Sequence, residues 1–321
     1  MRGAGALRGK TVGVIGAGTM GQALIRGLLH DGMASGRIVA SDPRAGARRG
    51  LTRLGVRMHA KNAPVARQAD VLLLAVKPQE MRSLLQELRP WVRRRPLDSP
   101  AFGGVARDVA RNRSRGRPER AQRVEGRREG NSGIARRAPP LVISIAAGIT
   151  RRTLESRLPG TPVARVMPNL PATVGAGFSA FTLGRRAGPA HRAVVEAIFG
   201  AVGETVELPE RLFDAVTAVS GSGPAYVFFL VHAWEGAARA LGLPRAVARR
   251  AVRQTLAGSV RLLASASLEP EAWIRRVASK RGTTEAALSV LTRRRLEPAF
   301  REALRAAARR SQELSWTSRA S

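Results

Sequence analysis

The amino-acid sequence predicts an α/β protein in two parts, a doubly wound parallel sheet followed by an all-helical region. In the first part, short apolar runs alternate with helix-period segments, which is the pattern of a parallel sheet with helices on its faces. A glycine-rich turn joins the first of these runs to the first helix-period segment. After about residue 208 long helical patterns replace the strands. We therefore predict two domains, residues 1–207 and residues 208–321.

The elements of the first domain follow from the order of these patterns along the chain. The β-branched run 11–16, with the sequence TVGVIG, has the form of a buried strand that ends in glycine. A helix follows, with Met20, Leu24 and Leu28 on one face, and it ends near Gly32. The further predicted elements are strands at 37–42, 70–76, 141–148 and 162–169 and a helix at 46–55.

An arginine-rich segment, residues 93–139, interrupts this alternation. It has few large apolar residues, and it carries fourteen arginines and five acidic residues between Arg93 and Arg137. Such a composition buries too little apolar surface to offset the entropy cost of ordering the chain, so we predict a disordered insertion. An arm that binds nucleic acid is the alternative interpretation. A solvated linker is favoured over it, because Phe102 is the only aromatic residue of the segment.

The composition excludes several classes of chemistry. The chain has no cysteine, so disulfides, thiolate catalysis and cysteine-ligated metals are excluded, which fits a reducing compartment. The four histidines do not have metal-ligand spacing, and no metal site is predicted. The formal net charge is +32, with only four lysines among 55 basic residues. This charge favours polyanionic partners, but it also fits an arginine bias in coding composition.

The segment AYVFFLVHAW, residues 225–234, is apolar almost all round. It suits either a core helix or a helix buried between subunits, and the pattern alone does not decide between them. No apolar run reaches the ~18 residues of a membrane helix, and the basic N-terminus lacks the apolar core of a signal peptide. We therefore predict no membrane association and a cytoplasmic location.

The turn GAGTMG supplies Gly16, Gly18 and Gly21 in the GxGxxG spacing, directly between a strand and a helix. In a dinucleotide-binding fold of the Rossmann type, the first glycine permits the tight turn and the second lets the backbone approach a pyrophosphate. The third allows close packing of helix and sheet, and the helix N-terminus then faces the phosphates. We therefore predict that the first domain binds NAD or NADP.

The end of the second strand discriminates between the two cofactors, because an acidic side chain there binds the ribose 2′-hydroxyl and arginine binds a 2′-phosphate. Asp42 favours NAD, whereas NADP is favoured by Ser41, Arg44, Arg48 and Arg49, so the preference stays open. Ligands of such sheets lie beyond the carboxyl ends of the strands, here at residues 75–78, 146–148 and 167–169. The predicted cofactor-binding residues are Gly16, Ala17, Gly18, Thr19, Met20, Gly21, Ser41, Asp42, Arg44, Asn62, Ala75, Val76, Lys77, Pro78, Ala147, Gly148 and Asn169.

Several segments, taken in order, resemble the 1-pyrroline-5-carboxylate reductase family. They read VGVIGAGTMGQAL, VLLLAVKPQ, VISIAAGIT, RVMPNLPATVGAG, DAVTAVSGSGPAYVF and GTTEAAL. The resemblance covers residues 10–94 and 140–316, and it implies reduction of a cyclic imine that bears a carboxylate to L-proline, by hydride transfer from NAD(P)H. It also implies that the C-terminal domain is a dimerisation domain, that the helix at 225–234 lies between subunits, and that dimers assemble further into decamers.

The resemblance also implies a substrate site. Thr284 matches the family's proposed hydrogen-bond donor to the imine nitrogen, where hydride attack leaves electron density, and it is the predicted catalytic residue. The backbone of Gly282, Thr283 and Thr284, at a helix start, is predicted to hold the carboxylate. The other wall is formed by Ser220, Gly221, Ser222 and Gly223. The alternatives are a threonine that only caps the helix and glycines that only mark a helix break.

The chain departs from the family at the substrate loop. Where the family usually has Ser-Pro-Gly-Gly-Thr-Thr, this chain has SKRGTT, residues 279–284. If position 281 requires a positive φ, arginine costs about 1 kcal/mol there. The segment TRRRLEP, residues 292–298, likewise replaces a glycine-containing turn, and Leu170 replaces the usual threonine.

These departures leave two interpretations open, a divergent but working reductase, which we favour, and a copy that has lost catalysis. A related 3-hydroxyacid dehydrogenase is disfavoured, because that class uses a lysine of the helical domain and residues 171–279 contain none.

Overall fold

The computed structural model describes residues 5–93, 138–265 and 267–320, and the chain divides into two compact units. The first, here called the sheet unit, comprises Met1–Pro168 and Ala172–Glu210. The second, the helical unit, comprises Asn169–Pro171 and Arg211–Ser321. The sequence predicts the division slightly earlier, after residue 207. The disordered insertion predicted at 93–139 lies outside the described residues except at its two ends.

The sheet unit is built on one eight-stranded sheet with the strand order β3-β2-β1-β4-β5-β6-β7-β8. Its strands are β1 (Val12–Ile15), β2 (Ile38–Ser41), β3 (Arg57–His59), β4 (Val71–Leu74), β5 (Leu141–Ser144), β6 (Val163–Met167), β7 (Gly177–Leu183) and β8 (Gly203–Glu207). Its helices are α1 (Thr19–His30), α2 (Ala45–Thr52), α3 (Ala63–Gln68), α4 (Met81–Arg93), α5 (Arg151–Arg157) and α6 (Pro189–Gly200).

The predicted doubly wound sheet is confirmed, with the five predicted strands observed as β1, β2, β4, β5 and β6. The edge strands β3 and β8 were not predicted because they are partly exposed and contain charged residues, so neither forms an apolar run. The prediction of a wholly parallel sheet needs a correction, because β7 runs antiparallel to β6 and β8 pairs parallel to β7. The chain reverses after β6 through a short turn of 3-10 helix, Leu170–Val174, and a connection this short suits an antiparallel neighbour.

Alternate residues of the central strands pack on opposite faces of the sheet. Val12 and Val14 of β1 belong to one buried cluster, which includes residues of α1 and α6, whereas Ile15 belongs to a second cluster with residues of α3, α4 and α5. Burial on both faces explains why the central strands are continuous apolar runs rather than alternating ones. The layers of helices thus leave the carboxyl ends of the strands as the open edge of the unit.

The helical unit follows a different principle, because it buries little of its own apolar surface. Its helices are α7 (Phe213–Val216), α8 (Gly223–Ala240), α9 (Arg245–Ser265), α10 (Pro270–Val277), α11 (Thr283–Arg293) and α12 (Leu296–Ala320), and a π-helical turn, Thr217–Gly221, connects α7 to α8. In α8 only Ala238 is buried, although the helix is strongly apolar. The interpretation of segment 225–234 as a core helix of one chain is therefore wrong, and Phe229 has 74% of its surface exposed.

The same region contains a helix that is long and apolar enough to cross a membrane. The continuous helical stretch Glu210–Ala240 has 31 residues and a mean hydropathy of 1.2 in its most apolar window, of which 6% is buried. The expectation that the chain has no segment of this kind is therefore wrong, as judged by the length and composition of this helix. That expectation considered only uninterrupted apolar runs, whereas this helix includes polar residues in its first turns.

The start of α6 contains a contact that depends on pH. The Nδ1 atom of His191 accepts a hydrogen bond from the backbone amide of Gly188 at 3.1 Å. Burial, reinforced by the positive charge of Lys10, lowers the pKa of the His191 imidazole from its ordinary value of 6.5. The His191 imidazole therefore binds a proton more tightly in the unfolded chain than in the folded chain. Neutral His191 stabilises the folded state above pH 6.5, and this stabilisation is lost as the pH falls.

We expect the free energy of unfolding to decrease between about pH 7 and about pH 5, because protonation of His191 removes the acceptor for Gly188. His191→Gln keeps an acceptor at the third helical position without a titrating group, so its free energy of unfolding should vary less over this range. Urea denaturation of both proteins at a series of pH values measures the difference, which is about 1.4 kcal/mol for each unit of pKa shift. Identical pH dependence in the two proteins would show that His191 does not contribute.

Candidate functional site

A cleft of about 1010 Å³ lies in the sheet unit at the carboxyl ends of the central strands. Its floor is formed where β1, β2 and β6 end, and the glycine-rich turn and the start of α4 form its sides. The lining residues are Ile15, Gly16, Gly18, Thr19, Met20, Ser41, Asp42, Pro43, Arg44, Asn62, Ala75, Val76, Lys77, Pro78, Glu80, Ser83, Leu84, Glu87, Ile145, Ala146, Ala147, Met167 and Pro168.

The glycine-rich turn has the geometry that a pyrophosphate requires. Gly16 has a φ of +96°, and a Cβ there would lie 2.6 Å from the carbonyl oxygen of Ala75. A Cβ on Gly21 would lie 2.1 Å from the carbonyl oxygen of Gly16, so any side chain would push α1 away from the turn. At Gly18, by contrast, a Cβ would project into open space beside Arg44, and its absence leaves the backbone amides accessible from the cleft. These residues fit a dinucleotide whose phosphates lie at the N-terminus of α1.

Asp42, at the end of β2, is enclosed by hydrogen-bond donors. It is 3% exposed, and its Oδ2 atom accepts hydrogen bonds from the amide of Ala17 at 3.0 Å and from Nη2 of Arg44 at 2.9 Å. Its Oδ1 atom accepts from the amide of Arg44 at 2.9 Å and from Nε of Arg44 at 3.0 Å. The Arg44 side chain, together with these two amides, holds the pKa of the Asp42 carboxyl below its usual value, although burial acts in the opposite direction.

A series of hydrogen-bonded polar side chains crosses the part of the cleft next to Asp42. The Ser41 hydroxyl donates to Oδ1 of Asn62 at 2.8 Å, and Nδ2 of Asn62 donates to the carboxylate of Glu87 at 2.8 Å. Sequence reasoning missed Glu87, and also Glu80 and Ser83, because they lie on or just before α4 and carry no motif. Their only signal is the spacing of Glu80, Ser83 and Glu87, which places them on one face of a helix that follows a strand end.

Most of the predicted cofactor-binding residues line this one cleft. Four of them do not: Ala17, Gly21, Gly148 and Asn169. Ala17 is buried behind the turn and acts through its amide, and Gly21 serves the packing described above. Asn169 belongs to the helical unit, where its Nδ2 atom donates to the hydroxyl of Ser220 at 3.1 Å and to the carbonyl of Ser220 at 3.3 Å.

The predicted substrate residues 220–223 lie where the π-helical turn meets α8. The amide of Ser222 donates to the carbonyl of Thr217 at 2.8 Å, five residues earlier, which is the π pattern. These glycines therefore do not interrupt the helical stretch Glu210–Ala240. Single π turns of this kind are frequent at functional sites.

The other predicted substrate residues form the N-terminus of α11. Gly282 is the N-cap, and a Cβ there would lie 2.3 Å from the hydroxyl of Ser279, so the loop packs against the space that a side chain would need. The carboxylate of Glu285 accepts a hydrogen bond from the amide of Arg281, which closes the loop onto the first helical turn. Thr283 and Thr284 lie in that first turn, where backbone amides have no carbonyl partner within the helix.

Known proteins are similar to this chain in both the sheet unit and the helical unit. A family model described as pyrroline-5-carboxylate reductase dimerisation matches residues 210–314, and one described as NADP oxidoreductase coenzyme F420-dependent matches residues 11–96. The pyrroline-5-carboxylate reductase of Synechocystis is 36% identical over 306 residues, which cover 94% of this chain and 97% of that protein. The chain belongs to the pyrroline-5-carboxylate reductase family.

Two further pyrroline-5-carboxylate reductases are similar over nearly their whole lengths. The protein of Pseudomonas aeruginosa is 35% identical over 307 residues, which cover 95% of this chain and 96% of that protein. The solved structure of the Coxiella burnetii reductase matches with a TM-score of 0.77 and 28% identity, covering 95% of this chain and 98% of that chain. The family's reaction is the NAD(P)H-dependent reduction of pyrroline-5-carboxylate in proline biosynthesis, and this chain is an oxidoreductase of that kind. An arginine-rich nucleic-acid-binding protein is not favoured.

The loop before α11, residues 279–282, has a strained backbone. Arg281 has a φ of +59° and Arg295, in the turn after α11, has a φ of +56°, and they are the non-glycine residues with positive φ in the described part of the chain. Position 281 thus has the positive φ that favours glycine. An L-residue with a Cβ costs about 1 kcal/mol in this conformation.

We expect Arg281→Gly to raise the free energy of unfolding by about 1 kcal/mol, because glycine adopts a positive φ without steric conflict. Arg281→Ala removes the same charge but keeps a Cβ, so it is the matched control and should give no such gain. Urea denaturation of the three proteins measures the effect. Equal stability of the glycine and alanine variants would mean that the backbone at this position is not strained.

Proposed function

We propose that the N-terminus of α11 binds the substrate of this reductase and that Thr284 donates a hydrogen bond to the imine nitrogen. The observation that supports the proposal is the composition of this helix start. Gly282 occupies the N-cap without a side-chain cap, so neither Thr283 nor Thr284 serves as the N-cap of α11. Among the described residues, the Thr284 hydroxyl makes no hydrogen bond, which leaves it available to a ligand.

The substrate's carboxylate would be held by the first turn of α11. Backbone amides at a helix N-terminus point along the axis and carry partial positive charge, so they bind anions. Gly282 has no side chain, which lets the Ser279 hydroxyl pack against the N-cap and keeps any longer side chain at this position away from the first amides. The turn at residues 220–223 would supply a second group of polar contacts, and Asn169 would act as a positioning residue that holds Ser220.

The reaction needs a donor at nitrogen more than it needs a strong acid. NAD(P)H, if held by the cleft of the sheet unit, would supply the hydride that adds to the imine carbon. The electron pair of the C=N bond then moves to the nitrogen, where the Thr284 hydroxyl stabilises it by donating a hydrogen bond. A hydroxyl suffices for this role when the imine is already protonated in solution, and it can also relay a proton.

We expect Thr284→Ala to lower kcat by roughly 10²-fold, as removal of one positioned donor does in other enzymes. Thr284→Ser keeps the hydroxyl and should retain most of the activity. NAD(P)H oxidation in the presence of 1-pyrroline-5-carboxylate gives kcat, and a direct binding measurement should show nearly unchanged cofactor affinity. Equal losses of kcat in the alanine and serine variants would argue against a hydroxyl donor. If both the parent protein and the serine variant showed no turnover, the proposed catalysis would be refuted.

The dimerisation region supports self-association, and we propose a homodimer in which α8 is covered by a second copy of the chain, with decamers as a further level of assembly. The support is the apolar surface of α8, where Val227, Phe228, Phe229, Leu230 and Trp234 are all exposed. A single chain cannot bury this surface, and a surface of this kind marks an interface. We also propose a cytoplasmic location, and recovery of the protein only in washed membranes would contradict it.

We expect Phe229→Glu to shift the protein from a dimer or larger assembly to a monomer, because a charge would be buried at the interface. Leu54→Glu introduces the same charge at an exposed leucine of the sheet unit and should leave the assembly unchanged. Sedimentation velocity without detergent distinguishes multiples of the 34.3 kDa chain. A parent protein that is monomeric, or that needs detergent to stay in solution, would contradict the proposal.

A further inference from the structure

The corner of the cleft at the end of β2 contains both kinds of side chain that discriminate NADPH from NADH. An acidic residue at this corner accepts hydrogen bonds from the two free hydroxyls of the adenosine ribose, and an arginine binds the 2′-phosphate that replaces one of them. The sequence contains Asp42 and Arg44 two residues apart and does not decide between the two. The hydrogen bonds of these two side chains in the structure decide between NADPH and NADH.

Asp42 has no acceptor capacity left for a ribose. A carboxylate offers about four lone-pair positions. Oδ1 and Oδ2 each already accept two hydrogen bonds, three of the four within the pair with Arg44 and one from Ala17. Because Asp42 is 3% exposed, a ligand would have to displace these donors before it reached either oxygen.

Arg44, in contrast, keeps donors free and holds them on the cleft side. Its Nε and Nη2 atoms bind Asp42, so three of the five guanidinium N–H groups remain for a ligand. The side chain is 67% exposed, and Nη2 lies 3.9 Å from the position that a Cβ on Gly18 would occupy. The guanidinium therefore lies beside the glycine-rich turn, in a fixed orientation set by the bidentate pair.

A second arginine is fixed at the same corner. Nη1 of Arg48 donates to the carbonyl oxygens of Asp42 at 2.8 Å and Pro43 at 2.7 Å, so its guanidinium is held at the end of β2. The carboxylates of Glu80 and Glu87 also line the cleft, and Glu87 accepts a hydrogen bond from Asn62. Arg44 and Lys77 are the basic residues in the lining of this cleft, whereas Arg48 is held next to it at the end of β2.

We propose that Asp42 is a positioning residue that holds Arg44 beside the glycine-rich turn, and that Arg44, assisted by Arg48, selects the 2′-phosphate of NADPH over the free 2′-hydroxyl of NADH. The proposal rests on the dinucleotide site of the sheet unit, and it adds the cofactor preference to the proposed function. Asp42 then promotes binding of the phosphorylated cofactor, which is the reverse of the role that an acidic residue has at this position in NAD-binding proteins.

The test uses adenosine fragments, which need neither substrate nor turnover. Isothermal titration of the full-length protein with 2′,5′-ADP and with 5′-AMP isolates the contribution of the 2′-phosphate. We expect 2′,5′-ADP to bind at least about tenfold more tightly, and this ratio should decrease as salt is added. Equal affinities, or a preference for 5′-AMP, would overturn the proposal.

Variants separate the positioning role of Asp42 from a direct role. Arg44→Ala should abolish the preference for 2′,5′-ADP. The control is Arg53→Ala, which removes an exposed charge at the C-terminal end of α2, whereas Arg44 lies at the N-terminal end; this variant should retain the preference.

Asp42→Asn should weaken binding of 2′,5′-ADP, because the bidentate pair is lost. A carboxylate that bound the ribose directly would give the opposite result, weaker 5′-AMP and stronger 2′,5′-ADP, and this outcome would overturn the proposal. Arg44→Lys keeps the charge without the bidentate geometry and should lose most of the preference, which tests the same point if the Asp42 variant does not fold.

Rates of NADPH and NADH oxidation with 1-pyrroline-5-carboxylate keep the two proposals distinct. Turnover that is faster with NADH would overturn the preference and leave the reductase activity intact. A tenfold preference for 2′,5′-ADP in a protein without turnover would support the role of Arg44 and refute the proposed role of Thr284.

Discussion

The close backbone approach at the glycine-rich turn is the constraint on which the sheet unit depends. Any side chain at Gly21 would meet the carbonyl of Gly16, and any side chain at Gly16 would meet the carbonyl of Ala75. Because these contacts need only backbone, α1 begins at the end of β1, and the amide of Ala17 reaches the carboxylate of Asp42. The turn thereby connects three neighbouring strands, and the cleft, the position of Arg44 and the orientation of the first helix all follow from it.

The parts of this arrangement that depend on local pattern could be predicted from the sequence. Buried strands such as β1 and β4 are apolar runs, and the glycine spacing between Gly16 and Gly21 defines the turn. The edge strands could not be predicted in this way, because β3 and β8 are partly exposed and polar. The direction of β7 depends on the short connection after β6, and no periodicity in the strand itself encodes it.

The site shows the same division between local and tertiary information. Strand-end reasoning identified most of the cleft, but it could not identify Glu87, since the face that α4 presents is decided by packing against the sheet. The same reasoning placed Asn169 with the cofactor, although the chain turns between Pro168 and Pro171 and brings this residue to Ser220. The sequence also placed Asp42 and Arg44 as competing signals. Only their mutual hydrogen bonds reveal that the acidic residue serves the basic one.

The exposed apolar surface of α8 has a consequence for the way this protein is maintained in a cell. The described residues of the helical unit include few buried apolar side chains, so in the proposed homodimer most of its hydrophobic stabilisation would come from the second chain. Folding and association then form one equilibrium, and its midpoint depends on protein concentration. Substitutions at its exposed apolar residues, between 227 and 234, would accordingly appear as reduced abundance through degradation of unassembled chains, while each assembled molecule would turn over its substrate at the normal rate.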